Sequence, residues 1–220
     1  FHDIGKGRIP MEELSHGKAT TMRYAVQKNY QLHPMAGAKL CKNFPNFPQH
    51  AVHIVLQHHE SMDGKGFPHR LPAEKISPLA KIVAIADTYD TLCNKRDDKE
   101  ALTPHEALKF MFAKKRQQLD HRFVGVFIKH MGVYPPGTIV QLSNGMTGMV
   151  VSINPRKTTR PSVQVYHSEI PKREALIIDM AIEPDLEIIA TLRPDKLSRE
   201  VFQYLSPSRQ ISYYAENLPE

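Results

Sequence analysis

Residues 58–68 read "HHESMDGKGFP", and they follow an apolar run, "AVHIVLQ", that ends at Gln57. Two adjacent imidazoles close an apolar helix. Gly64, Gly66 and Pro68 then crowd into five residues, the composition of a chain that stops being helical and turns sharply. Histidines placed there pose a question: which other side chains converge on them?

Upstream, His33-Pro34 is followed by the small residues Ala36, Gly37 and Ala38, and His2-Asp3 stands inside "FHDIGKG". Adjacent helical residues point about 100° apart. Both members of the pair can therefore face one pocket only near a helix end or around a wide metal cluster, and Gly5 and Gly7 suggest that a helix stops there. Downstream lies "SPLAKIVAIADTYDTLCN". Leu79, Ile82, Val83, Ala86 and Tyr89 suggest an apolar face, and Asp87, Asp90 and Asn94 fall at i, i+3 and i+7 as one polar stripe. A carboxylate drawn from water into such a setting needs a cation or several donors.

His2, Asp3, His33, His58, His59 and Asp87 together offer imidazole and carboxylate ligands, a mixture that suits iron, manganese or zinc better than calcium. One tetrahedral ion cannot use them all, so two or more ions are expected. Bridged ions would turn a water into hydroxide near neutral pH and hold the attacking and leaving oxygens of a phosphodiester. Lys6 adds a positive charge beside them. Taken singly, His33 reads as a satisfied structural histidine and Asp87 as a lysine partner; the set in this order carries the chemistry. His16, His50, His53, His69, His105, His121, His130 and His167 read as surface or packing residues.

The rest of the chain frames this set. Helical spacing recurs in Thr21–Ala38, Gln49–His59, Ser77–Asn94, Pro104–Gln118 and His121–His130, so residues 1–132 read as a helical domain. Ser77-Pro78 and Thr103-Pro104 have the form of helix starts. After "VYPPG" the pattern becomes β-like. "TIVQLSNGMTGMVVSI" predicts a hairpin with a type I′ turn at Asn144-Gly145, and "SVQVYH", "LIIDMA" and "LEIIATL" predict further strands. Residues 133–195 thus predict a small β-barrel-like or β-sandwich module, and residues 196–220 a tail with one short helix in "SREVFQYL".

The 220 residues carry a net charge of +6, which suits an anionic partner. The basic residues are scattered and line no helix face with interleaved aromatics, so nucleic acid is set aside in favour of a phosphate-bearing ligand. No apolar run approaches the ~20 residues of a membrane helix. Cys41 and Cys93 are too few for a disulfide framework, and reduced thiols predict a cytoplasmic protein.

The order "HD-I-G-K", "H-P", "HHE-x-x-D-G-x-G-F-P", "A-D-x-Y-D" resembles the HD-GYP subgroup of the HD superfamily over about residues 1–130. The resemblance implies an all-α HD-type bundle holding two or three divalent ions, iron or manganese. It implies hydrolysis of cyclic di-GMP to pGpG and onward to GMP, with metal-bound hydroxide attacking phosphorus. It makes His2, Asp3, His33, His58, His59 and Asp87 the metal ligands, with Asp3 bridging. Lys6 lies near the scissile phosphate, and Arg96 and Lys99 hold substrate phosphates. Asp90 joins the substrate-binding set. Asp63, Gly64, Gly66, Phe67 and Pro68 form the signature loop, a candidate surface for a protein partner. The β module resembles one that follows the bundle in some members.

Two departures accompany the resemblance. Phe67 stands where the motif has tyrosine, so the ring is kept and a hydroxyl is lost. Family members also carry helices with a further histidine and often a glutamate ligand before the HD pair, whereas this chain starts at Phe1; it reads as N-terminally incomplete. These departures leave a catalytically weak or inactive receptor for the dinucleotide as the alternative expectation, and an HD hydrolase of other nucleotides as a third. Oligomerisation is left open.

Overall fold

In a computed structural model of the chain, residues 1–9, 20–95 and 100–206 are described. The chain divides into two compact units, Phe1–Asp87 with Lys114–Phe123, and Thr88–Ala113 with Val124–Glu220.

The first unit opens with a 3-10 turn, Ile4–Arg8, followed by α1 (Thr20–Lys42), α2 (Gln49–Gln57), a 3-10 turn at Ala73–Lys75 and the start of α3 (Pro78–Cys93). The HD pair therefore precedes a tight turn rather than ending a helix: Lys6 N–H bonds back to the Asp3 carbonyl at 2.9 Å. Ala38 and Cys41 of α1 pack on Val52 and Val55 of α2, with Ile4, Phe47 and Leu56 around them. Pro34 lies within α1. Gly5 and Gly37 let the turn press against α1, because a β-carbon on Gly37 would meet the Gly5 nitrogen at 3.2 Å. α3 differs from its expected face: Ala80, Ala84, Ile85, Tyr89 and Cys93 are buried, while Leu79 and Ile82 are exposed. The helix is apolar around most of its early circumference, so periodicity alone does not select a side.

The second unit contains α4 (Pro104–Lys114), most of α5 (His121–Met131), five strands and α6 (Arg199–Leu205). α4 starts in a capping box: Glu106 N–H donates to Thr103 Oγ1 and Thr103 N–H to Glu106 Oε2. β1 (Ile139–Leu142), β2 (Thr147–Ser152), β3 (Ser162–Val165), β4 (Ile177–Asp179) and β5 (Ile188–Leu192) form one antiparallel sheet in the order β4-β3-β2-β1-β5. Val140, Leu142, Val150, Val163, Val165 and Met180 make its core. The order of helices followed by a small β part is the one the sequence indicates. The sheet itself is single and open among the described residues, neither closed into a barrel nor doubled into a sandwich; β4, three residues long, offers too little edge for closure.

The hairpin falls at Asn144-Gly145, but only Gly145 has positive φ, +86°. Gly145 N–H bonds the Leu142 carbonyl and Gln141 pairs with Thr147. This is a three-residue loop with a left-handed glycine rather than a type I′ turn. Among the described residues no helix is long and apolar enough to cross a membrane.

Candidate metal centre

Each side chain of the set is delivered by a different piece of the first unit. The turn after Phe1 brings His2, Asp3 and Lys6; α1 brings His33; the end of α2 brings His58 and His59; α3 brings Asp87. Ligand atoms of Asp3, His33, His58 and His59 all lie within 4.8 Å of one another, as do those of His2, Asp3 and Asp87. Asp3 belongs to both groups. Ligands on one ion with bonds of about 2.1 Å lie no more than about 4.2 Å apart, so the clusters are close to the dimensions an ion would impose.

Protons decide what the cluster can hold. His33 Nδ1 lies 2.6 Å from the Tyr30 carbonyl and His58 Nδ1 lies 2.8 Å from the Val55 carbonyl. A carbonyl oxygen only accepts, so each Nδ1 carries the proton and each neutral ring presents a lone pair at Nε2. Those two Nε2 atoms face each other at 3.2 Å, and Asp3 Oδ1 stands 3.2 Å from one and 3.5 Å from the other. Three acceptors thus meet in a place where both imidazoles are almost wholly buried. Lone pairs gathered this closely present themselves to a cation seated among them. Asp3 Oδ1 and His59 Nε2 are buried without a hydrogen-bond partner, which adds to the same demand. The donor set therefore fits a divalent metal.

The electrostatics are consistent with this. Burial alone would raise the Asp3 carboxyl, but the Lys6 ammonium, which donates to Asp3 Oδ2, opposes it, and the carboxyl lies far below the usual carboxylate range. Lys6 Nζ pairs with Asp3 Oδ2 at 2.5 Å. Burial, then the neighbouring His58, lowers the His59 imidazole to about 3, so its nitrogen remains a free base. Asp87 links the clusters: its Oδ1 is 3.7 Å from His2 Nε2 and its Oδ2 is 3.9 Å from His59 Nδ1. Burial would raise Asp87, yet the neighbouring His2 draws it down, and Asp87 in turn raises His2.

The loop after His59 closes over one side. Phe67 N–H bonds the His59 carbonyl at 3.1 Å, and the Phe67 ring stacks on the His59 imidazole with centroids 4.6 Å apart. A β-carbon on Gly66 would stand 2.3 Å from Ser61 N and 2.5 Å from the His59 carbonyl, so only glycine lets this loop lie so close. Gly64 has φ +70°, the Phe67-Pro68 bond is cis, and Asp63 Oδ1 accepts from Lys65 N–H.

The remaining expected residues stand differently. Asp90 is exposed on the second-unit part of α3, accepts a hydrogen bond from Asn94, and belongs to neither chelating group. Arg96 and Lys99 lie outside the described residues.

Two residues were missed by the sequence reading. Glu60, with a fully buried side chain, accepts from His69 N–H at 2.7 Å and Leu71 N–H at 2.9 Å and so pins the far end of the loop. Its only signal was a carboxylate wedged between the histidines and the turn. Tyr30 lies one helical turn before His33, and its ring centroid is 5.0 Å from that imidazole and 5.8 Å from His59. The i, i+3 relation on α1 was the available clue.

With this geometry established, comparison with known proteins is informative. The family model described as HD domain matches residues 1–123. The chain is 33% identical over 169 residues to the cyclic di-GMP phosphodiesterase PA4108 of Pseudomonas aeruginosa, covering 76% of this chain and 40% of that protein. It is 38% identical over 131 residues to the cyclic di-GMP phosphodiesterase response regulator RpfG of Xanthomonas campestris pv. campestris, covering 59% and 34%. A 3'3'-cGAMP-specific phosphodiesterase 2 of Vibrio cholerae is 31% identical over 133 residues, covering 59% and 25%. The chain thus spans between 25% and 40% of the length of these relatives.

Proposed function

Because the chain belongs to the HD domain family, matched over residues 1–123, we propose that it is a metal-dependent phosphodiesterase whose substrate is cyclic di-GMP, opened to pGpG and onward to GMP. The observation that carries this reading is the meeting of three acceptors, Asp3 Oδ1, His33 Nε2 and His58 Nε2, whose repulsion a bound cation would relieve. His33, His58, His59 and Asp3 would hold one ion, and His2, Asp87 and the shared Asp3 a second. Iron or manganese suits this nitrogen and oxygen set, with room left open for a third ion. Such ions supply Lewis-acid charge and a lowered pKa for water when bound.

The chain's own residues complete the task. Lys6, paired with Asp3 and partly exposed, offers its remaining donors to a non-bridging phosphate oxygen and stabilises charge as it builds there. Asp87 stands 3.7 Å from His2 Nε2 and attracts it electrostatically. The Phe67 ring fixes the plane of His59 by stacking. Arg96 and Lys99 are assigned to the substrate phosphates, and Asp90 to substrate binding. The Asp63–Pro68 loop is assigned to a protein partner. Residues 1–132 form the catalytic domain in this reading, residues 133–195 an accessory β module and residues 196–220 a tail, all within the cytoplasm.

The test is turnover. Purified chain loaded with Mn²⁺ or Fe²⁺ is incubated with cyclic di-GMP and, separately, with 3'3'-cGAMP, and products are separated by chromatography. Cyclic di-GMP should convert to pGpG, and Asp3→Ala and His58→Ala should abolish conversion. An intact dinucleotide bound at one equivalent would make the chain a receptor and refute the enzyme reading; preferred turnover of 3'3'-cGAMP would replace the substrate.

A further inference from the structure

Lys6 is the one flexible element of the centre, a charge on a four-carbon stem, and something must aim it. The ammonium has three donors. Asp3 Oδ2 takes one. Tyr30 meets the same ammonium from the α1 side: its ring centroid is 5.2 Å from Lys6 Nζ. Donors are then left over, and the Lys6 side chain retains 28% exposure through which an anion could reach them. Tyr30 is itself held firmly. Its backbone carbonyl anchors His33 Nδ1 at 2.6 Å, and its ring lies against His33, His59 and Phe67 at centroid distances of 5.0, 5.8 and 6.1 Å. It contributes no metal ligand, and its ring is left beside the lysine.

We infer that Tyr30 is the positioning residue of Lys6, holding the ammonium against Asp3 so that a remaining donor points at the anionic oxygen of a bound phosphodiester. The inference rests on the phosphodiesterase reading for its substrate and on the Tyr30–Lys6 contact for its geometry. A bare ammonium would sample many rotamers and spend part of its time paired to Asp87 as well as Asp3. The aromatic ring restricts that freedom.

The experiment is a double-mutant cycle on the Mn²⁺-loaded chain with cyclic di-GMP, using Tyr30→Phe, Tyr30→Leu, Lys6→Met and each Tyr30 change combined with Lys6→Met. Tyr30→Leu should lower kcat/KM about five- to thirty-fold, and Tyr30→Phe, which keeps the ring, less, when Lys6 is present. Both should change it less than about two-fold when Lys6 is methionine, because the clamp then has nothing to hold. A second readout needs no turnover: in the Zn²⁺-loaded chain the Lys6 ε-methylene protons should carry an upfield ring-current shift that Tyr30→Leu removes. Metal content should match wild type throughout. Equal losses in both Lys6 backgrounds, or a Lys6 shift indifferent to Tyr30, would overturn the assignment while leaving the enzyme reading intact. A wild-type chain inert to the dinucleotide would instead overturn the enzyme reading and this role with it.

Discussion

Gly5→Ala is the substitution that most directly tests how the centre is assembled. Gly5 lies in the Ile4–Arg8 turn so near α1 that a β-carbon would stand 2.0 Å from the His33 carbonyl oxygen and 2.6 Å from the Gly37 nitrogen. A carbon rests against a carbonyl oxygen at about 3.3 Å, so the turn must retreat by roughly 1.3 Å. Both obstacles are backbone, and no rotamer can move them aside. Asp3 and Lys6 ride on that turn, and Asp3 Oδ1 now stands 3.2 Å from His33 Nε2. A displacement of that size away from His33 carries Asp3 past what one ion with bonds near 2.1 Å can span, about 4.2 Å. The expected loss is about ten- to a hundredfold in affinity for Zn²⁺ or Mn²⁺, with about 1–3 kcal/mol of stability lost to overpacking. Chelator competition measures the first and urea unfolding the second. Gly7→Ala is the control: its β-carbon would meet nothing within 4 Å among the described residues, and it should leave both quantities unchanged. Gly5→Ala with wild-type affinity and stability would refute the account.

Glu60→Ala should destabilise the first unit by about 2–5 kcal/mol, because the His69 and Leu71 amides lose their buried acceptor; Glu60→Gln should lose less, and a loss below about 0.5 kcal/mol in urea titration would show that the loop does not depend on it. Asp120 is buried and would be raised by that burial, yet donors from Arg122, with the Lys81 charge, hold its pKa below the ordinary carboxylate value. Its contribution to stability should be complete above about pH 4 and fade as pH falls through the lower folded-state value. Asp120→Asn should therefore be destabilised at pH 7 with a gap that closes in acid; a gap independent of pH would contradict the pairing.

The candidate ligands were legible as a set because their chemistry resides in the residue type. His2, Asp3, His33, His58, His59 and Asp87 announce themselves as imidazoles and carboxylates wherever the chain places them, and the structure brings all six together. Helix positions were legible because apolar spacing survives in sequence. What stayed hidden depends on distances between elements. Tyr30 looks like any aromatic until α1 is seen to pass beside Lys6. Gly5 suggested the stop of a helix, and its real constraint is the approach of one backbone to another. The hairpin was placed correctly, but its loop is one residue longer than Asn-Gly alone implies, because register is set by both strands. The buried side of α3 was misjudged for a related reason: where apolar residues surround a helix, tertiary packing chooses which of them is covered.

The same helical geometry appears twice in the centre and explains why Asp3 is its sensitive member. His33 bonds the carbonyl of Tyr30, three residues back, and His58 bonds that of Val55, also three residues back. Each helix thereby fixes the proton of its own histidine on Nδ1 and aims Nε2 outward, before any ion is present. An arriving cation need not order those two rings, so little conformational freedom is lost on binding at that side. Asp3 has no such internal anchor. Its turn is held against α1 by the Gly5 contact, and the carboxylate itself by Lys6. Two walls are thus set by helices and the third by a docking distance. A substitution that shifts this distance should weaken metal binding while His33 and His58 keep their orientation, and one that breaks either helical hydrogen bond should release a single ring without moving the turn.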